Sequence, residues 1–219
     1  KIPYNSGVFE NAARHIGQYI NAIKGKSRRL IVLDLDNTLW GGVVGENGWQ
    51  GVRLGGHDHV GEGFRDFQLA LKSLSNRGVQ LAISSKNDEA VAMQAIDNHP
   101  EMILKREDFV GWRINWNDKA CNIADLADEI NLGLESLVFI DDNPAERSRV
   151  SDALPEVLVP DWPEDPSMFV ETLNSLCCFE NTTITKEDRV RTSLYISERN
   201  RKDIKHSVKN NDDWLRRLN

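Results

Sequence analysis

Residues 30–40 of the chain read LIVLDLDNTLW, an apolar run that ends in two aspartates two positions apart, Asp34 and Asp36. The run places the β-branched Ile31 and Val32 between leucines, which is typical of a strand buried on both faces. Burying an ionised carboxylate at the end of such a strand is costly unless a cation or hydrogen-bond donors compensate the charge. The stretch therefore predicts a central strand with a cation close to its end.

Outward from this stretch, helix-like and strand-like segments alternate along the chain. Apolar residues at helical spacing are followed each time by a short strand-like run. These runs are VQLAISS (79–85), DFVGWRINW (108–116), SLVFI (136–140) and EVLVP (156–160). The alternation predicts an α/β fold in which a mainly parallel central sheet carries helices on both faces. In such sheets the functional residues gather beyond the carboxyl ends of the strands.

The chain divides into three predicted parts. Residues 1–28 form an N-terminal packing helix that leads into the first strand, and residues 29–161 form the catalytic core. Residues 162–219 form a helical C-terminal extension that packs on the core, with helices at about 166–177 and 185–218. The glycine-rich segment GGVVGENGWQGVRLGG (41–56) predicts a small hairpin or flap, which is too short to be a large cap domain.

Composition excludes several classes of protein. The 27 Lys and Arg residues against 34 Asp and Glu residues give a net charge of −7, so we expect no general affinity for nucleic acid or for anionic membranes. No apolar run approaches the roughly 18 residues that a membrane span requires. The three cysteines are too few for a disulfide framework, and we expect a soluble, cytoplasmic protein.

Polar side chains follow three of the predicted strands at the point where each strand ends. They are Asp34 and Asp36, Ser84 and Ser85, and Asp141 and Asp142. Because the carboxyl ends of parallel strands meet at one edge of a sheet, we expect these side chains to lie close together. Four carboxylates at one edge repel one another unless a cation lies between them, and Mg²⁺ prefers carboxylate, water and phosphate oxygens. The pattern predicts a magnesium site that accepts a phosphorylated small molecule.

The same residue types predict phosphoryl transfer. An aspartate can attack phosphorus and form an aspartyl phosphate, and a second carboxylate two residues on can protonate the leaving group and then activate water. Lys119, near the start of the helix before residues 136–140, and the Ser85 hydroxyl would contact the phosphoryl oxygens. Lys86 and Asn87 either reach the substrate or are solvated loop residues.

Four segments carry a resemblance to a known superfamily. They are DLDNT (34–38), SSKN (84–87), Lys119 and FIDDNP (139–144). In order and spacing they resemble the four motifs of the haloacid dehalogenase superfamily of aspartate-based phosphotransferases. The resemblance implies a three-layer haloacid dehalogenase-like (Rossmannoid) fold.

On this resemblance each motif residue has an expected role. The nucleophile is Asp34 and the acid/base is Asp36. The phosphate-binding residues are Ser85, Lys119, Leu35 and Lys86. The Mg²⁺ ligands are Asp34, Asp142 and the backbone carbonyl of Asp36, with Asp141 as a further candidate ligand.

A narrower resemblance covers almost the whole chain. The segments DLDNTLWGGVVGENG (34–48), LAISSKNDEA (81–90), HPEMILKREDF (99–109) and the stretch 114–147 look like the FkbH-type subfamily of polyketide biosynthesis. This resemblance implies a transferase and phosphatase that takes a glyceryl unit from 1,3-bisphosphoglycerate and removes its phosphate. The unit is then delivered as a thioester to the phosphopantetheine arm of an acyl carrier protein.

One position departs from the subfamily pattern. Relatives often have a cysteine four residues before the first aspartate, where this chain has Leu30. Cys121, close to Lys119, is the candidate acyl nucleophile. Two other functions stay open: a plain phosphatase of a sugar phosphate or another small metabolite, and a non-catalytic module that binds a carrier protein.

Overall fold

The computed structural model describes residues 27–179, together with residues 7–9, 12, 13, 16, 17 and 20. The predicted helix at 185–218 lies outside the described residues. Of the predicted N-terminal packing helix, the described side chains include Phe9, Ile16 and Ile20, which are exposed. The packing role of this segment therefore stays a prediction.

The core is a four-stranded, fully parallel sheet in the order β3-β2-β1-β4. The strands are β1 (Leu30–Leu33), β2 (Gln80–Ser85), β3 (Phe109–Ile114) and β4 (Leu137–Ile140). β1 pairs with a neighbour on each side, and all four of its residues are buried. This is the central strand that the apolar run predicted, because a strand covered on both faces and both edges has no polar side to present.

Helices connect the strands and cover both faces of the sheet. They are α1 (Val44–Gly51), α2 (His59–Asn76), α3 (Glu89–Asn98), α4 (Lys119–Glu129), α5 (Pro144–Ala153) and α6 (Phe169–Ser175). Short 3₁₀ helices lie at Arg106–Asp108, Leu134–Ser136 and Pro166–Met168. The α/β fold with a parallel sheet, predicted from the alternation of segments, is confirmed.

Alternate residues of β1 enter two separate hydrophobic clusters. Ile31 and Leu33 pack with the apolar faces of α2, α3 and α6. Leu30 and Val32 pack with α4 and with Val150 of α5 on the opposite face. Successive side chains of a strand point to opposite faces of the sheet, so a strand buried on both faces contributes to both clusters. The sheet and the helices on its two faces form the three layers of the domain.

Two local predictions need correction, the strand at 156–160 and the hairpin or flap at 41–56. The predicted strand at 156–160 is reduced to a single bridge between Leu158 and Val138. Pro160 lacks the N–H that a longer ladder would use. α4 ends at Glu129, and Asn131, just beyond it, adopts a left-handed conformation with φ of 54°.

The segment after β1 is a short helix rather than a hairpin. α1 is kinked at Gly48, and an antiparallel bridge between Gly41 and Arg53 closes the segment at its base. Within residues 27–179, the connection from β1 to α2 holds α1 and no separate cap domain. Among the residues that the structure describes, no helix combines the length and the hydropathy needed to cross a bilayer.

Candidate metal centre and active site

The parallel register places Asp34 beside Asp141. Leu33 is paired with Ile140 across β1 and β4, and the amide of Asp34 donates to the carbonyl of Ile140 at 3.0 Å. Both aspartates follow their strands directly. By strand alternation they project to the same face as Val32 and Phe139, which is the face that α4 covers.

Three carboxylates converge at this point. One oxygen from each of Asp34, Asp141 and Asp142 lies within 4.8 Å of the other two. Asp34 is 7% exposed and Asp141 is fully buried, while Asp142 is half-buried. Among the described residues this is the group whose side chains are arranged to hold a metal ion.

Lys119 is buried against two of these carboxylates. It is the first residue of α4, whose N-cap Asp118 accepts from the amides of Ala120 and Cys121. Its Nζ lies 3.0 Å from Oδ1 of Asp34 and 2.5 Å from Oδ2 of Asp141, and the residue is 3% exposed. Burial alone would lower the pKa of Lys119, but the two carboxylates outweigh it, so the pKa is raised and the lysine is charged.

The carboxylates carry more negative charge than Lys119 neutralises. Burial, followed by repulsion from Asp34, raises the pKa of Asp141 to about 6 despite the contact with Lys119. The same two causes raise the pKa of Asp142. Three acids against one lysine leave a net negative site, which a divalent cation would balance.

The donor set fits Mg²⁺. All of the candidate side-chain ligands offer carboxylate oxygens, which a hard cation prefers. Oδ1 of Asp34 is buried and lies within ion-pair distance of Lys119, but no donor among the described residues is aligned to form a hydrogen bond with it. A buried carboxylate oxygen that is short of partners is the kind of atom that a metal ion satisfies.

Asp36 has different surroundings from Asp34. Its Oδ1 accepts hydrogen bonds from Nε1 of Trp40 at 2.9 Å and from the amide of Val44 at 3.0 Å. Its Oδ2 accepts from Nδ2 of Asn87 at 2.8 Å. The Asp36 side chain is not part of the group of three carboxylates, which leaves its carboxylate available for proton transfer.

The backbone that carries Asp141 and Asp142 is held in place by groups from elsewhere in the chain. The amide of Asp142 donates to the Thr38 hydroxyl at 3.2 Å, which joins the end of β4 to the DLDNT segment. Arg147 donates from one guanidinium nitrogen to the carbonyls of both aspartates at 2.9 and 2.8 Å. These contacts fix the loop that presents the candidate ligands.

The chain is similar to the crystal structure of the N-terminal part of the protein BF1531 from Bacteroides fragilis, which contains a phosphatase domain complexed with Mg. The two are 44% identical, with a TM-score of 0.73 over 75% of this chain. The fold is the haloacid dehalogenase-like fold. The match covers 44% of the Bacteroides chain, so this chain spans less than half the length of that structure.

Two more distant likenesses carry haloacid dehalogenase names. One is a haloacid dehalogenase-like family hydrolase from Xanthomonas campestris, at 14% identity and a TM-score of 0.43 over 68% of this chain and 96% of that chain. The other is a subfamily III A hydrolase of the superfamily from Legionella pneumophila, at 15% identity and a TM-score of 0.43 over 85% of this chain and 96% of that chain. Both are too distant to bear on function. No protein-family model and no curated protein matches the chain.

The predicted phosphate-binding residues lie around this edge of the haloacid dehalogenase-like fold. Ser85 is the last residue of β2 and is 1% exposed, and Leu35 is fully buried between the two aspartates. Lys86 is exposed and pairs with Glu146 of α5 at 2.6 Å. Ser84 is fully buried, and its Oγ has no hydrogen-bond partner within the part of the chain that the structure describes.

The two positions considered for acyl chemistry lie apart from the carboxylates. Leu30 is fully buried in the hydrophobic core, and four residues of strand place it about 13 Å from Asp34. A thiol at position 30 would therefore face the core rather than the site. Cys121 is exposed, whereas its neighbours Lys119 and Asn122 are buried.

Four residues that contact the site are absent from the predicted catalytic, phosphate-binding and metal-binding residues. They are Thr38, Trp40, Asn87 and Arg147. Thr38 and Asn87 belong to the DLDNT and SSKN segments, so their motif positions were the available signal. For Trp40 the sequence favoured aromatic packing against the sheet over a place in a pocket wall, and no pattern pointed to Arg147.

Proposed function

We propose that the chain catalyses Mg²⁺-dependent phosphoryl transfer from a phosphorylated small molecule through an aspartyl phosphate on Asp34. The observation that carries this proposal is the placement of Asp34. Its carboxylate is buried at the carboxyl end of the central strand, 3.0 Å from Lys119 and in a group with Asp141 and Asp142. The similar Bacteroides structure, with its Mg-bound phosphatase domain, supports the same chemistry.

In the first step, an oxygen of Asp34 attacks phosphorus and the bond from phosphorus to the leaving oxygen breaks. Asp36, when protonated, gives its proton to that leaving oxygen. In the second step, Asp36 takes a proton from water, which attacks phosphorus and releases Asp34 and inorganic phosphate. Two carboxylates in different surroundings thus take two different roles.

Lys119 and the neighbouring carboxylates prepare the site for a phosphate dianion. Lys119 holds Asp34 in one orientation and supplies positive charge that can shift to the transferring group. Asp34, Asp142 and Asp141 would hold Mg²⁺, together with the Asp36 carbonyl. The bound ion would supply charge neutralisation of the phosphoryl oxygens. Ser85, Leu35 and Lys86 complete the proposed phosphate contacts.

The finer proposal is glyceryl transfer from 1,3-bisphosphoglycerate to the phosphopantetheine arm of an acyl carrier protein. It rests on the resemblance to FkbH-type enzymes over most of the chain. Leu30 is no obstacle to it, because position 30 faces the core. Within residues 27–179 no separate domain covers the site, so a long pantetheine arm has room to enter.

A plain phosphatase is the second candidate. The observation that favours it is the exposure of Cys121, which contributes no thiol to the buried carboxylates. Acyl transfer would then need the carrier thiol itself to attack the glyceryl carbonyl.

One experiment separates these functions. The protein is incubated with Mg²⁺, 1,3-bisphosphoglycerate and a panel of holo acyl carrier proteins, and the carriers are weighed by mass spectrometry. A glyceryl increment on a carrier, absent with Asp34→Asn, supports the finer proposal. Phosphate release without an increment selects the plain phosphatase. Carrier binding with neither reaction would overturn the enzymatic proposal and leave a non-catalytic binding module.

A further inference from the structure

The hydrogen bonds to Asp36 divide unequally between its two carboxylate oxygens. Oδ1 accepts two, from Trp40 and from the amide of Val44, and these use both of its lone pairs. Oδ2 accepts one, from Nδ2 of Asn87 at 2.8 Å, and no other donor in the described part of the chain reaches it. Oδ2 is therefore the oxygen that keeps a lone pair for proton transfer.

Asn87 is enclosed rather than solvated. It lies in the turn between β2 and α3 and is 5% exposed. α1 packs against α3 above this turn, and the side-chain oxygen of Asn87 faces Gly45 of α1. The following residue, Asp88, caps α3 by accepting from the amide of Val91. A buried side chain on a capped turn has little freedom, so its amide points at Asp36 from a fixed position.

We propose that Asn87 is a positioning residue that orients Oδ2 of Asp36 for proton exchange with the leaving group and with water. This inference rests on the proposed function. Trp40 and Val44 both hold Oδ1, from segments close to Asp36 in the chain. Asn87 reaches the other oxygen from a separate loop 51 residues away, and three donors at two oxygens fix the plane of the carboxylate.

A misoriented general acid lowers the rate of hydrolysis more for some substrates than for others. A leaving group such as p-nitrophenolate departs readily without a proton, whereas phenolate benefits more from protonation as its bond to phosphorus breaks. Loss of Asn87 should therefore slow phenyl phosphate more than p-nitrophenyl phosphate. A merely structural role would slow the two esters by the same factor.

The test compares the full chain with Asn87→Ala and Asn87→Asp in the presence of Mg²⁺. Asn87→Asp keeps the size of the side chain but replaces the donor with an acceptor, so it separates donation from packing. If Asn87→Asp fails to fold, Asn87→Ser, which keeps a smaller hydrogen-bond donor, is compared with Asn87→Ala in its place. Asn98→Ala, an exposed asparagine at the far end of α3, is the matched control.

We expect both donor-deleting variants to lower kcat/KM for phenyl phosphate by about ten- to a hundredfold, and kcat/KM for p-nitrophenyl phosphate by less than about threefold, because kcat/KM reports the step in which the leaving group departs and not the later attack of water. Asn98→Ala should match the parent with both esters. Equal losses for the two esters, or an Asn87→Asp variant as active as the parent, would overturn the inference. A parent protein that hydrolyses neither ester would instead overturn the proposed function.

Discussion

Asp34 and Asp36 lie two residues apart in one turn, yet their surroundings have little in common. Asp34 lies among charges, with Lys119 at 3.0 Å and two further carboxylates within 4.8 Å. Asp36 lies among neutral donors from Trp40, Val44 and Asn87. The first carboxylate is part of a charge balance that needs a cation, whereas the second is satisfied by the protein alone.

The comparison shows how one short motif supplies two kinds of acid. A carboxylate next to a fixed lysine and a metal site is suited to attack a phosphoryl group, because the positive charges draw the substrate to it. A carboxylate held by neutral hydrogen bonds is suited to exchange a proton, because it is not tied to a cation.

Removing the nucleophile should have the largest effect. The carboxamide introduced by Asp34→Asn cannot form an acyl phosphate under these conditions, so the variant should lower kcat for p-nitrophenyl phosphate by at least about 10⁴-fold. The measurement is steady-state hydrolysis with Mg²⁺, and the exposed Asp128→Asn on α4 is the control. Activity within tenfold of the parent would show that Asp34 is not the attacking group.

Removing Lys119 should mainly destabilise the metal-free protein. Lys119→Met leaves three carboxylates without their buried partner, and breaking such a pair costs about 3–5 kcal/mol. Urea unfolding in EDTA measures this loss, and added Mg²⁺ should restore part of it. Arg106→Met, which removes an exposed arginine from the exposed Asp97, should cost no more than about 1 kcal/mol. Similar losses for the two variants would contradict the charge balance.

Replacing the acid/base should slow turnover without preventing attack. Asp36→Asn keeps the size of the side chain but cannot transfer a proton, so kcat should fall by about 10²–10⁴-fold. Because the same residue activates water, the aspartyl phosphate should persist, and a rapid-quench experiment should detect it. If the variant accumulates no phosphorylated protein, Asp36 does not act in the second step.

The pH dependence of stability should reveal the excess negative charge. The pKa of Asp141 is about 6 in the folded protein against 3.8 ordinarily. Between these values the folded protein binds a proton that the unfolded chain does not, so this residue adds stability as pH falls through 6. The gain is at most about 3 kcal/mol.

The control variant, Asp141→Asn, removes the carboxyl group of Asp141. In EDTA, the melting temperature of the parent minus that of Asp141→Asn should increase from pH 7 to pH 5. The subtraction cancels the contributions of groups far from Asp141, such as His99, whose pKa burial lowers. A difference that stays constant over this range would contradict the raised pKa.

Much of the fold and of the charged cluster could be predicted because local patterns report burial. The apolar run ending at Leu33 predicted the central strand, and parallel strand ends predicted that Asp34 and Asp141 would meet. The predicted strand at 156–160 was wrong, since Val157 and Leu158 are covered by packing and form only one bridge to β4. Apolar character alone does not distinguish a sheet edge from a packed loop.

The surroundings of Asp36 could not be predicted in the same way. Its partner Asn87 is 51 residues away, and the contact between Thr38 and Asp142 joins residues 104 positions apart. Such contacts depend on how α1 and the loops pack, and the sequence carries no periodic signal for them.

The most direct test of the central claim is to locate the phosphoryl group on the protein. Asp36→Asn is incubated with Mg²⁺ and p-nitrophenyl phosphate, quenched in acid and digested with trypsin, which yields residues 30–53 as one peptide. Tandem mass spectrometry should find the phosphoryl mass on Asp34, and EDTA or the double variant with Asp34→Asn should abolish it. A phosphoryl group on any other residue, or one that forms equally well without metal, would contradict the assignment of Asp34 as the nucleophile.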